Sequence, residues 1–217
     1  MKRKITKLLM TMLLAIVAAW SVQAAEFTVT SQGDDGTEGS GTLRDLITNK
    51  TGSNTIIIPE GYVITVSDTI AIASKGITII GEGAGATVQV TTPGTSPWRI
   101  FSIIAGASVR TITLKNLTLK GGSTSIGGII SFDRRVNLTI ENCTLSDGNA
   151  SNNGGALGAS LTGDITVSIK KSIFKNNHGS KGAAIGLSSG EVEITGCYFK
   201  ENIGVVGTNT NGRTFSA

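Results

Sequence analysis

Two lines of side chains in this sequence could do chemistry. At the corner that follows each glycine-led apolar tetrad stands one acid: Asp133, Asp164 and Glu191, with Arg134 and Arg135 beside the first. Stacked together, such carboxylates could hold Ca²⁺, and a basic neighbour could take the proton α to a uronate carboxyl. Kept apart, they are solvated corner charges. A second corner carries Lys120, Asp147, Lys175, His178 and Lys181, with no pair of acids. His178, the single histidine, lies in the run NNHGSK, which reads as a polar turn and predicts an exposed ring rather than a catalytic one. A glycosidase needs two carboxyls across a cleft, and no spacing here points to such a pair. The sequence has no G-x-S-x-G elbow, no phosphate loop and no His/Cys cluster of metal-ligand spacing. For binding, Trp98 stands beside Arg99 in a loop broken by Pro93 and Pro97. Its indole could stack on a sugar, or it could cover the side of the fold as large aromatics usually do. No catalytic, cofactor-binding or metal residue is therefore assigned, and no cofactor is expected.

The elements that would position these groups are written as a repeat. Four copies of one line start at Thr111, Asn137, Thr166 and Glu191, which are 26, 29 and 25 residues apart. Each copy holds two alternating apolar pairs around a bend: Ile112/Leu114 and Leu117/Leu119, Leu138/Ile140 and Cys143/Leu145, Val167/Ile169 and Ser172/Phe174, Val192/Ile194 and Cys197/Phe199. Period-two alternation rich in β-branched residues predicts strands with the apolar set inside. The bend column reads Asn116, Asn142, Lys171, Gly196. After the first three copies come the tetrads Gly127-Gly128-Ile129-Ile130, Gly154-Gly155-Ala156-Leu157 and Gly182-Ala183-Ala184-Ile185. About three short strands per repeat, cornered by Gly and Asn, make one coil of a parallel β-helix, and coils must stack to bury a shared core. The twist rule for parallel crossovers makes it right-handed. The outward positions Thr118, Thr144, Ile173 and Tyr198 form a stripe that serves either as a contact face or as a plain solvent-facing ladder.

Residues 1–24 have the pattern of a secretory signal peptide: Lys2, Arg3, Lys4 and Lys7, then an apolar run from Leu8 to Trp20, then Val22-Gln23-Ala24. The apolar run is short for a membrane span. Of nineteen Lys+Arg, four lie in this leader, and none of the fifteen Asp+Glu do, so the remainder is neutral. The calculated pI of 9.2 thus belongs largely to the leader, and nucleic acid is not an expected partner. Residues 25–54 read as an N-terminal cap, with a strand in Glu26–Thr30 and a short amphipathic helix in Thr42–Ile47 as a lid. Arg44 and Asp45 are expected as solvent-facing charges on that helix. Residues 55–217 read as coils, irregular at first and regular from about residue 110. The opening of the repeat is matched by Gly76–Gly81, 35 residues before Thr111. The stretch after Asn202 reads as neither helix nor lid, which predicts an open last coil and either further coils beyond it or self-association. Cys143 and Cys197 share an inward column two coils apart, roughly 10 Å, and a disulfide needs Cα atoms within ~7 Å, so both are expected as free buried fillers.

Two features resemble a known family. Ser40-Gly41-Thr42-Leu43-Arg44-Asp45-Leu46-Ile47 after an acidic glycine-rich turn, followed by Asn54-Thr55-Ile56-Ile57-Ile58, is similar to the opening of secreted bacterial right-handed β-helix repeat proteins. Phe174-Lys175-Asn176-Asn177 and Phe199-Lys200-Glu201-Asn202, with the tetrads at Gly154 and Gly182, resemble the F-x-x-N and G-G-A-I motifs of polymorphic outer membrane protein repeats. Leu119-Lys120-Gly121-Gly122 and Leu145-Ser146-Asp147-Gly148 depart from the first motif. The resemblance implies export to the cell surface or beyond and an adhesin-like role, with a glycan or a surface protein as partner. The alternative on the same fold is a carbohydrate-active enzyme, a polysaccharide lyase or glycosidase, because a fold does not by itself choose the function.

Overall fold

A computed structural model describes residues 24–159 and 161–204. Apart from Ala24, the expected leader lies outside them, as does the tail beyond Gly204. Strand β1 (Ala25–Thr28) and helix α1 (Leu43–Asn49) come first. The first two turns are three-stranded: β2 (Asn54–Ile58), β3 (Val63–Val66) and β4 (Ile70–Ala73), then β5 (Ile77–Gly81), β6 (Ala86–Val90) and β7 (Phe101–Ile104). The third turn adds a strand: β8 (Arg110–Lys115), β9 (Leu117–Lys120), β10 (Ser123–Ile126) and β11 (Ile130–Phe132). The fourth has β12 (Val136–Glu141), β13 (Thr144–Ser146), β14 (Asn149–Asn153) and β15 (Leu157–Ala159). The fifth has β16 (Ile165–Lys170), β17 (Ile173–Lys175), β18 (His178–Lys181) and β19 (Ile185–Leu187), and the last has β20 (Glu191–Thr195), β21 (Tyr198–Lys200) and β22 (Ile203–Gly204).

All pairings are parallel, and each strand pairs with the strand one turn away. The chain is a parallel β-helix of about six turns. The repeat spacing is the register itself: Thr111 pairs with Asn137, Asn137 with Thr166, and Thr166 with Glu191. The earlier match also holds, since Ile77 pairs with Ile112. The bend column Asn116, Asn142, Lys171, Gly196 turns with φ of 54, 53, 49 and 62°. Asn and Gly tolerate that left-handed conformation better than other residues do.

The expectation of three strands per coil is corrected to four in turns three to five, where β10, β14 and β18, with β22 of the last turn, make a fourth sheet. Its segments STSI, NASNN and HGSK carry almost no apolar alternation. They are strands because their backbone groups pair along the stack, a cause that leaves no hydrophobic pattern to read. The same finding moves His178 from a turn into β18, in register with Asn149 and Ile203, with its ring exposed as expected.

Inward residues form columns that bury fully, such as Ile79, Leu114, Ile140 and Ile169 in the seven-stranded sheet. Each such side chain stabilises by roughly 1.5–3 kcal/mol. In the last turn Val192 and Ile194 are 42% and 46% exposed, because no strand follows β20 among the described residues. At the other end α1 closes the core. Leu43, Leu46 and Ile47 are buried, and the helix packs on β2 and β4. Thr42 caps the helix by accepting from the Asp45 amide at 3.1 Å. Lys75 donates to the carbonyls of Ile47 and Lys50 at its C-terminal end, where a cation also opposes the helix dipole.

Arg44 and Asp45 are not the solvent-facing pair that their helical spacing suggests. Asp45 is 1% exposed and accepts from the amides of Gly39 and Gly41 and from Asn49 Nδ2. Arg44 grips both oxygens of Asp34 through Nε and Nη2, at 2.9 and 2.8 Å, and donates to the carbonyls of Thr69 and Asp68. The partners come from the acidic glycine-rich turn and from a strand entry 24 and 25 residues away. Both residues therefore fasten the lid to the first coil.

Candidate functional site

The side wall formed by the six-stranded sheet β3-β6-β9-β13-β17-β21 carries the most regular outward array. Thr118, Thr144, Ile173 and Tyr198 stand in one register line, as the repeat predicts, and the line continues backwards through Thr87 and Val63. Parallel strands space these residues ~4.8 Å apart. Val63, Ile173 and Tyr198 are 48%, 39% and 59% exposed. Beside this stripe runs a second line, Thr65, Gln89, Lys120, Ser146, Lys175 and Lys200. The sequence reading missed Val63 and Thr87 because their turns do not repeat the four-copy line. Their signal is the alternation of Tyr62–Ile72 and Ala86–Val90.

At the bend bordering the stripe, Asn116 donates through Nδ2 to the carbonyls of Gly81 and Gly83, at 2.8 and 2.9 Å. Asn142 Nδ2 in turn donates to Asn116 Oδ1 at 3.0 Å. A cavity of about 200 Å³ lies here, lined by Ala84, Gly85, Asn116, Leu117, Thr118, Asn142 and Thr144. Hydroxyls, amides and backbone carbonyls dominate it, so it offers neutral donors and acceptors of the kind that bind sugar hydroxyls or a peptide backbone. A second cavity of about 280 Å³ lies where β2, β5 and β8 begin, lined by Ser53, Asn54, Gly76, Thr78, Arg110 and Thr111 among others.

The corner acids do not stack. Ile165 pairs with Val136, which sets Asp164 level with Arg135. Glu191 pairs with Thr166, further along the strand. Asp133 spends its carboxylate on the Ala105 amide at 3.0 Å, so it closes the end of β7 in the turn before. Among the described residues no three His, Cys, Asp or Glu side chains come together in a group that could hold a metal. The second corner is likewise spread out: Lys120 and Lys175 flank Ser146 in one line, Asp147 accepts from Ser146 Oγ at 2.7 Å, and Lys181 pairs with Asn153 in the fourth sheet.

The cysteines are free and share the predicted column with Ser172. The Cys143 amide donates to Ser172 Oγ, and the Ser172 amide donates to Cys197 Sγ. Burial pushes the Cys143 thiol up to about 11, which makes it a poor nucleophile. Trp98 takes the second of its two expected roles: it packs against the core, and its Nε1 donates to the Val66 carbonyl at 3.2 Å. Among the described residues no helix is long and apolar enough to cross a membrane, which says nothing of a β-barrel. No family model, no curated protein and no solved structure matches this chain.

Proposed function

We propose that this chain is an exported or cell-surface β-helix module that works as an adhesin-like scaffold, binding a glycan or a surface protein along the six-stranded wall without covalent chemistry. The observation that carries the reading is the register line from Val63 to Tyr198, one outward residue per turn, with the polar Asn116/Asn142 corner beside it. Such a face gains affinity by repeating shallow contacts along a rigid spacing, so many weak contacts act together. The kinship with polymorphic outer membrane protein repeats belongs to the same proposal. It is supported by the parts that F-x-x-N plays here: Phe174 and Phe199 stack at 5.0 Å, and Asn177 and Asn202 bond one another across turns at 2.9 Å.

The test is binding of the purified chain to immobilised glycans and to cell surfaces, repeated with Thr144→Arg, which places a bulky charge in the middle of the stripe. Binding by the parent chain that falls at least tenfold in the variant is the expected result. Equal binding by the two chains removes the wall from consideration. Release of unsaturated products from a uronate polysaccharide with Ca²⁺ replaces the scaffold with the lyase.

A further inference from the structure

Among the described residues, Arg99 is the one cation with a buried side-chain nitrogen that no partner explains. It stands where the stack changes from three strands per turn to four. Phe101 pairs with Ile130, so Arg99 lies level with Gly128, Gly155 and Ala183, the second residues of the tetrads. Those positions are small, and Arg99 is the exception. Its side chain runs onto the outer face of the five-stranded sheet β4-β7-β11-β15-β19, whose outward line is Ala71, Ser102, Ser131, Gly158 and Gly186. Nη1 donates to Ser131 Oγ, and Ser131 Oγ donates to Ser102 Oγ at 3.4 Å.

The rest of the guanidinium is unsatisfied. Nε is buried with no partner, the one such side-chain nitrogen or oxygen among the described residues. Nη2 makes no hydrogen bond to them, and the residue is only partly buried. None of the four ion pairs there includes Arg99. The acid one turn below in register, Asp68, accepts from the Thr69 amide through Oδ1 and makes no ion pair with Arg99. Burial alone pulls the Arg99 guanidinium below its ordinary value, with no carboxylate to offset it. An unpaired charge taken out of water costs free energy unless something neutralises it.

Arg44 shows what is missing. One turn earlier its guanidinium lies against the carbonyls of Asp68 and Thr69, and its Nε and Nη2 edge is filled by both oxygens of Asp34. The same edge of Arg99 has no partner among the described residues. A guanidinium fork matches a planar carboxylate in a two-bond geometry, and the match is stronger than that of an ammonium.

We infer that Arg99, with the hydroxyls of Ser102 and Ser131, is a binding site for the carboxylate of an acidic sugar. The carboxylate takes the Nη2 edge, the partly exposed Ser102 serves a neighbouring sugar hydroxyl, and the buried Ser131 holds the guanidinium in place. A small turn of the guanidinium brings Nε into the second bond. Room for a ring lies on the side of Ser102 and the exposed Ala71, because Ile126, Asn153 and Lys181 close the face over Gly158 and Gly186. The site is on a different wall from the stripe, so it does not depend on the scaffold reading.

The experiment is titration of the whole chain with galacturonic acid and its trimer, followed by calorimetry and by the shift in thermal midpoint. Acetate, inorganic sulfate and neutral galactose serve as comparison probes. Saturable binding of the uronates is expected, weaker binding of acetate, and none of galactose. Arg99→Gln should weaken uronate binding by about tenfold or more, as losing a charge-assisted pair of hydrogen bonds implies. Arg99→Lys should recover only part of it. Thr144→Arg should leave uronate binding intact, so this site and the wall succeed or fail separately. No saturable uronate binding by the parent chain overturns the inference, as does equal binding by Arg99→Gln, by Arg99→Lys or of galactose. Tighter binding of sulfate than of uronate also overturns the assignment to a carboxylate.

Discussion

The first two turns and the three that follow solve one problem in different ways. From β8 to β19 the bend and the glycine corner are ladders, Asn116/Asn142 and Gly127/Gly154/Gly182, and a hydrogen bond made there in one turn is repeated in the next. In the lid and the first two turns the corners are single constructions, such as Asp34 with Arg44, Lys75 under α1, and the loop of Thr91–Arg99. The comparison teaches where the fold has freedom. A ladder fixes each member through its neighbours above and below, whereas an irregular turn can hold a one-off charge such as Arg99.

The largest effect is expected at Gly154, in the middle of the column Gly127, Gly154, Gly182, with φ of 57, 61 and 77°. A Cβ at Gly154 would run into the Leu157 carbonyl oxygen and then the Gly186 amide of the next turn. Gly154→Val should therefore cost about 4 kcal/mol or more, enough to prevent folding of a marginally stable chain. Trp98, one turn before Gly127 in register, is not among the residues of positive φ, so the irregular turn passes this corner by another path. Trp98→Gly should accordingly only lose stability in urea unfolding, by about 3 kcal/mol or more for the lost indole packing, because it relieves no backbone strain.

Next comes Asn177, which is fully buried at the corner between β17 and β18. Its Oδ1 accepts from the Gly148 amide at 2.9 Å, and its Nδ2 donates to the Leu145 carbonyl and to Asn202 Oδ1. Asn177→Ala strands those groups in turns four, five and six together. A loss of about 3 kcal/mol is expected, with hydrogen exchange quickened in all three turns. Asp34→Asn on the lid should cost less, about 1–2 kcal/mol, because the amide oxygen can still accept from Arg44, which keeps its bonds to the Thr69 and Asp68 carbonyls. Its exchange footprint should stop at α1 and β4. If both variants loosen the whole stack equally, the distinction between ladders and single constructions falls.

Much of the fold is legible in the sequence, and the reason is the same distinction. A ladder writes its register as a repeat, so the residues alone give the spacing from Thr111 to Glu191 and the bend column. The positions of Asn177 and Asn202 are legible too, as part of the F-x-x-N motif. The fourth sheet is hidden because its strands are polar on both faces and paired only through the backbone. The burial of Arg44 and Asp45 is hidden because their partners, Asp34, Gly39, Gly41 and the carbonyls of Asp68 and Thr69, lie in loops without periodicity. The Arg99 site leaves no pattern at all, since its serines come from two different turns. The wall at Thr118 to Tyr198 is half legible: four members repeat, and two do not.

The acid response of the lid gives a smaller and more local test. Burial raises the Asp45 carboxyl, but hydrogen bonds from Asn49 and from the Gly41 and Gly39 amides lower it further, and the net value is below the ordinary 3.8. A carboxyl whose folded value is depressed stabilises the fold above its unfolded value and loses that contribution as pH falls through the folded one. The lid should thus loosen as pH falls below about 3.8, seen as faster exchange of the α1 amides. Asp45→Asn should be less stable at neutral pH and should lose this part of the acid dependence. An unchanged acid profile would mean that the carboxylate does not hold the lid.

The smallest effect is expected at Cys143, where the ladder already contains its own control. Cys143 Sγ donates to the Glu141 carbonyl at 3.3 Å, and Ser172 Oγ, one turn on in the same column, donates to the Lys170 carbonyl at 2.8 Å. Each reaches the carbonyl two residues back, so the column accepts a thiol or a hydroxyl in the same role. Cys143→Ser should therefore cost no more than about 1 kcal/mol, little for so buried a site, because the polar atom it brings in has a partner waiting. Alkylation of the native chain followed by mass analysis should label Cys197, which is partly exposed, well before Cys143, whose thiol is buried and raised to about 11. A loss of several kcal/mol in Cys143→Ser would show that neighbouring turns are not interchangeable. The ladder would then be a set of single constructions, as the first two turns are.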